Sequence, residues 1–417
     1  MVECWLPYGK TEVHVSVPMK NLLDLPVIQA DVSRDPEKLL LESIQTPVEC
    51  LRLRDMATKG KMVAVSLEGD LPSSHAGFVV ERVLRELFEA QIPPEDIALI
   101  ISPGTAGSIR TNLWDQLKPF GDFKIRILEH TWRNENMKEI GRTTAGTSIL
   151  LNRDFVEADI RVVISEVKPD LLTGYSGFNS VVFPGLSSLS SIASSMRNTL
   201  NRKQKPTSPQ VEPLSQESKE VSQLLKLDFA ISIVSDPAGR PVRAFSGNPE
   251  ASQRMALSVA EHTFGVPMSR QADIAMVSSG GYPYDRTLSR ASIAVCNLAH
   301  FCQPEGQIFM IAECSEGLGD PMFYSYMRQH RDLKSMEKGL AEQWSLGGEL
   351  ALRLRAAIEG RKLTLISVLP DYLVRSLGFK TGRTANDALS SAASDFTGTT
   401  KVVVAPDGSS ILPISEA

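Results

Sequence analysis

Several things are missing from this sequence, and each absence removes a class of protein. No run approaches the roughly 18 consecutive apolar residues that a membrane-spanning helix needs. The start, Met1-Val2-Glu3-Cys4-Trp5-Leu6-Pro7, has neither a basic opening nor a long apolar stretch, so no secretory signal is expected. The five cysteines, Cys4, Cys50, Cys296, Cys302 and Cys314, are odd in number and scattered, and no two form a CxxC pair. That usage predicts reduced thiols in a cytoplasmic protein. There is no charge excess of the kind that marks a nucleic-acid partner: 44 basic and 49 acidic residues are interspersed and leave a formal charge of −5, with no clustered basic face. None of the six histidines stands in an HxH, HxxxH or HExxH arrangement, so local spacing gives no metal site. No GK[ST] follows a glycine-rich loop and no GxGxxG opens a helix after a strand, which disfavours nucleotide binding by the familiar routes.

What is present is alternation. Short apolar, β-branched runs occur at residues 62–67, 97–101, 124–128, 160–164, 229–234, 274–277, 308–311, 363–366 and 402–404. They are continuous rather than alternating, as strands buried on both faces are. Amphipathic stretches lie between them; residues 78–90 carry Val80, Val83, Leu84, Leu87 and Phe88 at helical spacing, and residues 250–264, 346–359 and 339–354 read as helical. This pattern predicts a doubly wound α/β architecture. A boundary near Gly265-Val266-Pro267 divides the chain into domains 1–265 and 266–417. Residues 201–218 are polar, proline-punctuated and poor in apolar side chains, which predicts a mobile surface excursion or lid.

Glycine-rich turns follow the strand ends, where such a fold places its ligands. They are Ser102-Pro103-Gly104-Thr105-Ala106-Gly107, Ser278-Ser279-Gly280-Gly281-Tyr282-Pro283-Tyr284-Asp285, and Ala312-Glu313-Cys314-Ser315-Glu316-Gly317-Leu318-Gly319. The densest is residues 174–185, GYSGFNSVVFPG, which follows Glu166-Val167-Lys168-Pro169-Asp170. Three glycines closed by Pro-Gly require tight turning and close approach of backbone.

Taken in order, these blocks resemble the nickel-pincer lactate racemases along nearly the whole chain. Leu6-Pro7-Tyr8-Gly9-Lys10, Gly104-Thr105, His130, residues 141–147 (GRTTAGT), residues 174–185, Gly280-Gly281-Tyr282-Pro283 with Asp285, and Glu316-Gly317-Leu318-Gly319 carry the resemblance. It implies two Rossmann-like α/β domains with an interdomain cleft. It also implies cofactor-side positions at Asp70, Gly104, Thr105, Ser176, Gly177, Ser180, Gly280, Gly281 and Trp344. The family's reaction moves a hydride between C2 of a 2-hydroxy acid and a nickel cofactor. It uses a tethering lysine, a nickel-binding histidine, histidines for the hydroxyl proton, and cations for the carboxylate.

At those positions this sequence departs from the pattern. The tethering lysine falls at Ser180, the catalytic histidines at Asp170 and Ala106, and the lysine after Gly-Gly-Tyr-Pro at Tyr284. No histidine lies between His130 and His262. The carboxylate-binding arginine is absent near Asp70, where His75 could replace it when protonated or stand as a solvated loop histidine. His130 is expected to bond backbone in a turn.

Three readings stand. The first is a homologue that has lost nickel-pincer chemistry, needs no cofactor, and either retains a cleft for a small-molecule ligand such as a hydroxy acid or serves as a scaffold. The second is a racemase or epimerase of a 2-hydroxy acid holding the nickel-pincer nucleotide noncovalently. The third is new acid–base chemistry at Asp170, Tyr284 and His75. No nucleic-acid or membrane partner is expected under any of them.

Overall fold

The computed structural model of the chain describes residues 1–72, 74–106, 111–133, 135–202, 213–268, 270–394 and 399–415. Both strands and helices are abundant, in two units: residues 30–263 form one, and residues 1–29 with 264–417 form the other.

The 30–263 unit is built on a six-stranded sheet. From one edge its strands are Pro241–Gly247, Phe229–Ser235, Ile160–Glu166, Val63–Glu68, Ile97–Ser102 and Arg126–Glu129. Five run parallel, and Pro241–Gly247 is antiparallel to its neighbour. Every residue of Val63–Glu68, Ile97–Ser102 and Phe229–Ser235 is buried, so both faces must be covered and the runs are apolar without alternation. The helix Ala76–Glu89 covers one face, placing Val79, Val80, Val83, Leu84 and Leu87 against Val65, Leu99 and Ile231 of the sheet. Chain order runs outward in opposite directions from Val63–Glu68 and Ile160–Glu166, so the sheet's switch point lies between their carboxyl ends.

The second unit also has a six-stranded sheet, in the order Lys380–Gly382, Lys362–Ile366, Cys302–Ile311, Ala272–Ser278, Val402–Ala405 and Leu22–Asp24, parallel throughout. The division at 265/266 leaves residues 1–29 in the first domain, whereas they fold with residues 264–417. Leu22–Asp24 is the sheet's edge strand beside Val402–Ala405. The hairpin of Val2–Tyr8 and Thr11–Val17 buries Cys4, Leu6, Val15 and Val17 in one core with Met276, Phe309 and Val404. No shift of composition near residue 29 announces that crossing.

All nine apolar runs are strands. Two other expectations change. Residues 339–354 are not one helix: Leu333–Glu342 and Leu346–Ala357 are separate, because Ser345 turns its hydroxyl back onto the Gly348 amide at 3.2 Å and starts a new helix. Of the proposed 201–218 excursion, residues 203–212 lie outside the described residues, while residues 213–218 open the helix Pro213–Leu225. Ser218 of that helix is buried and donates to Phe183 O at 2.7 Å. No helix among the described residues is long and apolar enough to cross a membrane.

Candidate functional site

At the switch point of the 30–263 unit the two flanking strands each end in a carboxylate, Glu68 and Glu166. Parallel pairing sets Leu67 opposite Ile164, so the strand ends lie side by side and the Glu166 amide donates to Glu68 Oε2 at 3.1 Å. Two residues beyond each strand come Asp70 and Lys168. The Lys168 ammonium bridges Glu166 Oε2 at 2.8 Å and Asp70 Oδ2 at 3.2 Å. Glu68, Asp70 and Glu166 are 4%, 7% and 4% exposed, so the Lys168 ammonium stands among three buried carboxylates. Burial pushes the Glu68 carboxyl up to about 7, with Asp70 and Glu166 adding to the rise and Lys168 opposing it. A group so placed can hold or release a proton near neutral pH.

Gly104 and Thr105 follow the next strand of the same sheet. Gly104 has φ +56°, and a Cβ there would stand 3.6 Å from Glu68 Oε1. The Thr105 hydroxyl donates to Asp170 Oδ2. The other oxygen of Asp170 accepts from Leu172 N at 3.0 Å, Thr173 N at 2.8 Å and the Thr173 hydroxyl at 2.8 Å. Asp170 therefore shapes the turn between the paired segments Pro169–Asp170 and Gly174–Tyr175, as an aspartate with local amide donors does.

The segment 174–185 is closed on itself. The Ser176 hydroxyl donates to Glu166 O at 2.7 Å and ties the loop to the strand end. Gly177 has φ +146°, and a Cβ there would overlap the side-chain amide of Gln253, which donates to Ser176 O at 3.1 Å. Ser180, 2% exposed, donates its hydroxyl to Gly177 O at 2.9 Å and accepts from Gly177 N at 3.1 Å. Gly185 packs so closely that a Cβ would overlap Ser102 Oγ and stand 2.9 Å from Ser180 O. The Ser102 hydroxyl itself donates to Val181 O at 3.1 Å.

His130 is fully buried, with Nε2 3.1 Å from Ser187 O and Nδ1 3.3 Å from Asn152 Nδ2. The carbonyl can only accept, so Nε2 carries the proton and the ring bonds backbone as a neutral donor–acceptor. Burial lowers its pKa, against the bond to Ser187. His75 is not a solvated loop residue. It is 2% exposed at the start of Ala76–Glu89, and its Nδ1 lies 3.0 Å from Ser74 Oγ. The Ser74 hydroxyl gives its one proton to Gly239 O at 2.7 Å, so Nδ1 is the donor toward serine.

The places at which a tethered nickel-pincer group would be held thus carry a serine hydroxyl in a local turn, an aspartate in a local turn and a structural imidazole. No group of three or more His, Cys, Asp or Glu residues among the described residues could hold a metal ion. This donor set does not fit the tethered group, which needs an amine and an imidazole.

In the other unit, Gly280 and Gly281 have φ of +99° and +67° and follow the strand Ala272–Ser278. The Tyr282 amide donates to Gly9 O at 2.7 Å, which holds the turn against the N-terminal hairpin. Asp285 is fully buried and accepts from the amides of Gly9 at 2.7 Å and Glu313 at 3.0 Å. Tyr284 has the Arg290 guanidinium 5.7 Å from its ring centroid. Trp344 is 5% exposed in the break between the helices Leu333–Glu342 and Leu346–Ala357. Arg286 faces Glu316 at 3.6 Å. Burial pushes the thiols of Cys302 up to about 11 and Cys296 up to about 12, so neither is a thiolate nucleophile at neutral pH.

The structure therefore brings Asp70 together with Lys168, Gly104 with Glu68, Thr105 with Asp170, and Ser176, Gly177 and Ser180 with one another. Sequence reasoning missed Glu68, Glu166 and Lys168 as site residues. An acidic residue closes each of the two strands, but only the strand order places those two ends side by side.

Two units, each built on a mostly parallel sheet with glycine-rich turns at its strand ends, define a two-domain α/β protein. The comparisons narrow that class. Residues 8–208 match the lactate racemase N-terminal domain and residues 268–413 the lactate racemase C-terminal domain; the chain belongs to the lactate racemase family. It is 23% identical over 435 residues to the lactate racemase of Thermoanaerobacterium thermosaccharolyticum, covering 99% of each chain. It is 20% identical to that of Lactiplantibacillus plantarum, covering 99% of this chain and 100% of the relative. The fold matches the lactate racemase apoprotein from T. thermosaccharolyticum with a TM-score of 0.87 at 22% identity, over 99% of this chain and 100% of that one. A Thermotoga maritima protein matches at a TM-score of 0.62 with 14% identity, over 94% of this chain and 100% of that one.

Proposed function

We propose that this chain is a lactate racemase relative that has given up the covalently tethered nickel-pincer group. It keeps the switch-point site of its 30–263 unit for a small polar molecule. The observation that carries this reading is Ser180: its hydroxyl is bonded in both directions to Gly177, at the position where the family resemblance expects the tethering lysine. A hydroxy acid is the ligand class that the relatives' lactate racemase activity suggests, with its hydroxyl facing Glu68. A second reading, an isomerase of a hydroxy acid with noncovalently held cofactor, draws support from the convergence of Gly104, Glu68 and Gly185 at one set of strand ends.

Co-expression with a pincer-cofactor biosynthesis system tests both. Intact mass under denaturing conditions reads the covalent adduct, and elemental analysis of the native protein reads nickel. Neither adduct nor nickel is expected. Stoichiometric nickel without an adduct would establish the second reading, and an adduct would overturn both.

A further inference from the structure

A second concentration of charge lies elsewhere. In the unit of residues 1–29 and 264–417, a cavity of about 430 Å³ opens at the amino ends of the strands Lys362–Ile366 and Lys380–Gly382. That is the opposite end of the sheet from residues 278–285. Arg331, Arg355, Arg361, Lys362 and Lys380 line it, against the carboxylates Asp332 and Glu359. Among the described residues none of the five cations forms an ion pair. Asp332 is already used, accepting from Ser335 N at 3.0 Å as a helix cap.

We infer that this cavity is a binding site for a phosphorylated small molecule. Its cations converge from three separate places: the start of the helix Leu333–Glu342, the end of the helix Leu346–Ala357, and two strand starts. Like charges gathered this way repel one another, and a bound polyanion removes the repulsion. Arg355 shows the arrangement most clearly. One of its terminal nitrogens donates to Met327 O at 3.0 Å, the other reaches toward Gly378, and the buried Nε has no hydrogen-bond partner. Burial and then the charge of Arg331 lower its pKa, as expected for a guanidinium without a counterion. Arg361 is anchored by its bonds to Cys302 O at 2.9 Å and Ala357 O at 3.2 Å, so its charge is fixed in place. Guanidinium groups suit phosphate oxygens because their donors form a planar fork. Buried Ile358, Leu363 and Phe379 supply an apolar floor, and the volume falls within the roughly 300–1,000 Å³ range of small-molecule sites.

Titration calorimetry with inorganic pyrophosphate on the full chain, at low ionic strength, tests the site. Saturable one-to-one binding is expected, weakening as salt is raised. Lys362→Ser/Lys380→Ser removes two exposed cations that make no packing contribution to the core, and should weaken binding by about tenfold or more. Lys59→Met, an exposed lysine in the other unit, should leave it unchanged. Absence of saturable binding, or equal affinity in the double variant and the unsubstituted chain, would overturn the inference.

Discussion

The 30–263 unit places two contrasting pieces of chain at the same strand ends. Glu68, Asp70, Glu166 and Lys168 turn their ionisable groups toward one another. The adjoining segment 174–185 spends its hydroxyls and glycines on its own backbone, through Ser176, Ser180 and Gly185. Bonds of the second kind fix a shape and leave no proton to move, whereas the first kind gathers ionisable groups where burial brings one of them, Glu68, to titrate near neutrality. Under the proposed reading the charged quartet is the site, and the glycine-rich segment is its scaffold. Substitutions should separate the two by magnitude and by dependence on pH.

The largest effect is expected from Lys168→Met. It leaves Asp70 and Glu166 buried without their shared cation, and breaking a buried ion pair from one side costs about 3–5 kcal/mol. Urea denaturation at pH 8 should show that loss. A loss below about 1 kcal/mol would mean that the pairs behave like exposed ones, and the contrast between the two regions would vanish.

Next comes Glu68. Its folded pKa, about 7, lies above the reference value of 4.5, so between those values the folded state holds a proton that the unfolded state has released. Stability from this group is full below the unfolded value and is lost as pH rises through the folded one. The total is on the order of 3 kcal/mol. Glu68→Gln should remain flat across that window, and the difference between its stability curve and that of the unsubstituted chain isolates the carboxyl. Parallel curves would show that Glu68 is ionised in the folded protein, and the proton-holding role assigned to it would fail.

These two residues also mark where the sequence was hard to read. The nine apolar runs announce their strands because burial on both faces leaves a local composition signal. The segment 174–185 announces itself through glycines whose φ of +76° at Gly174 and +146° at Gly177 other residues rarely adopt. The charged quartet has no such signature. Glu68 and Glu166 are 98 positions apart, and only the parallel register of two strands makes them neighbours. The surroundings of His75 and Asp170 were hidden for a related reason: the partners that hold Asp170 in a turn and bury His75 come from Thr105, Thr173, Ser74 and the folding of the loop onto Gly239. The placement of residues 1–29 was hidden likewise, since strand pairing with Val402–Ala405 is a long-range contact.

On the scaffold side, Gly185→Ala should cost about 1–3 kcal/mol, the usual range for overpacking a filled interior. The added methyl meets Ser102 Oγ and the backbone oxygen of Ser180. Ser102 is fully buried and bonded to Val181 O, so it has nowhere to retreat. The expected loss is the same at pH 5 and pH 8, because no ionisable group takes part. A loss that changed with pH would couple the scaffold to the quartet.

The smallest effect is expected from Ser180→Ala. The Gly177 carbonyl keeps its bonds from the amides of Ser180 and Val181, both at 3.1 Å, so losing the hydroxyl donor leaves it satisfied. The Gly177 amide loses its acceptor in a buried turn, and one unsatisfied buried donor costs about 1–3 kcal/mol. The methyl group fits the space the hydroxymethyl filled, so the low end, about 1 kcal/mol, is expected, again without pH dependence. Denaturation of the variant at two pH values measures both. If the variant were as stable as the parent, the two-way bond to Gly177 would contribute nothing, and the serine would be merely small enough to leave room for a ligand. A measurable, pH-independent loss instead makes Ser180 a structural replacement for a tether, holding closed with its own hydroxyl the turn that the family resemblance assigns to a lysine.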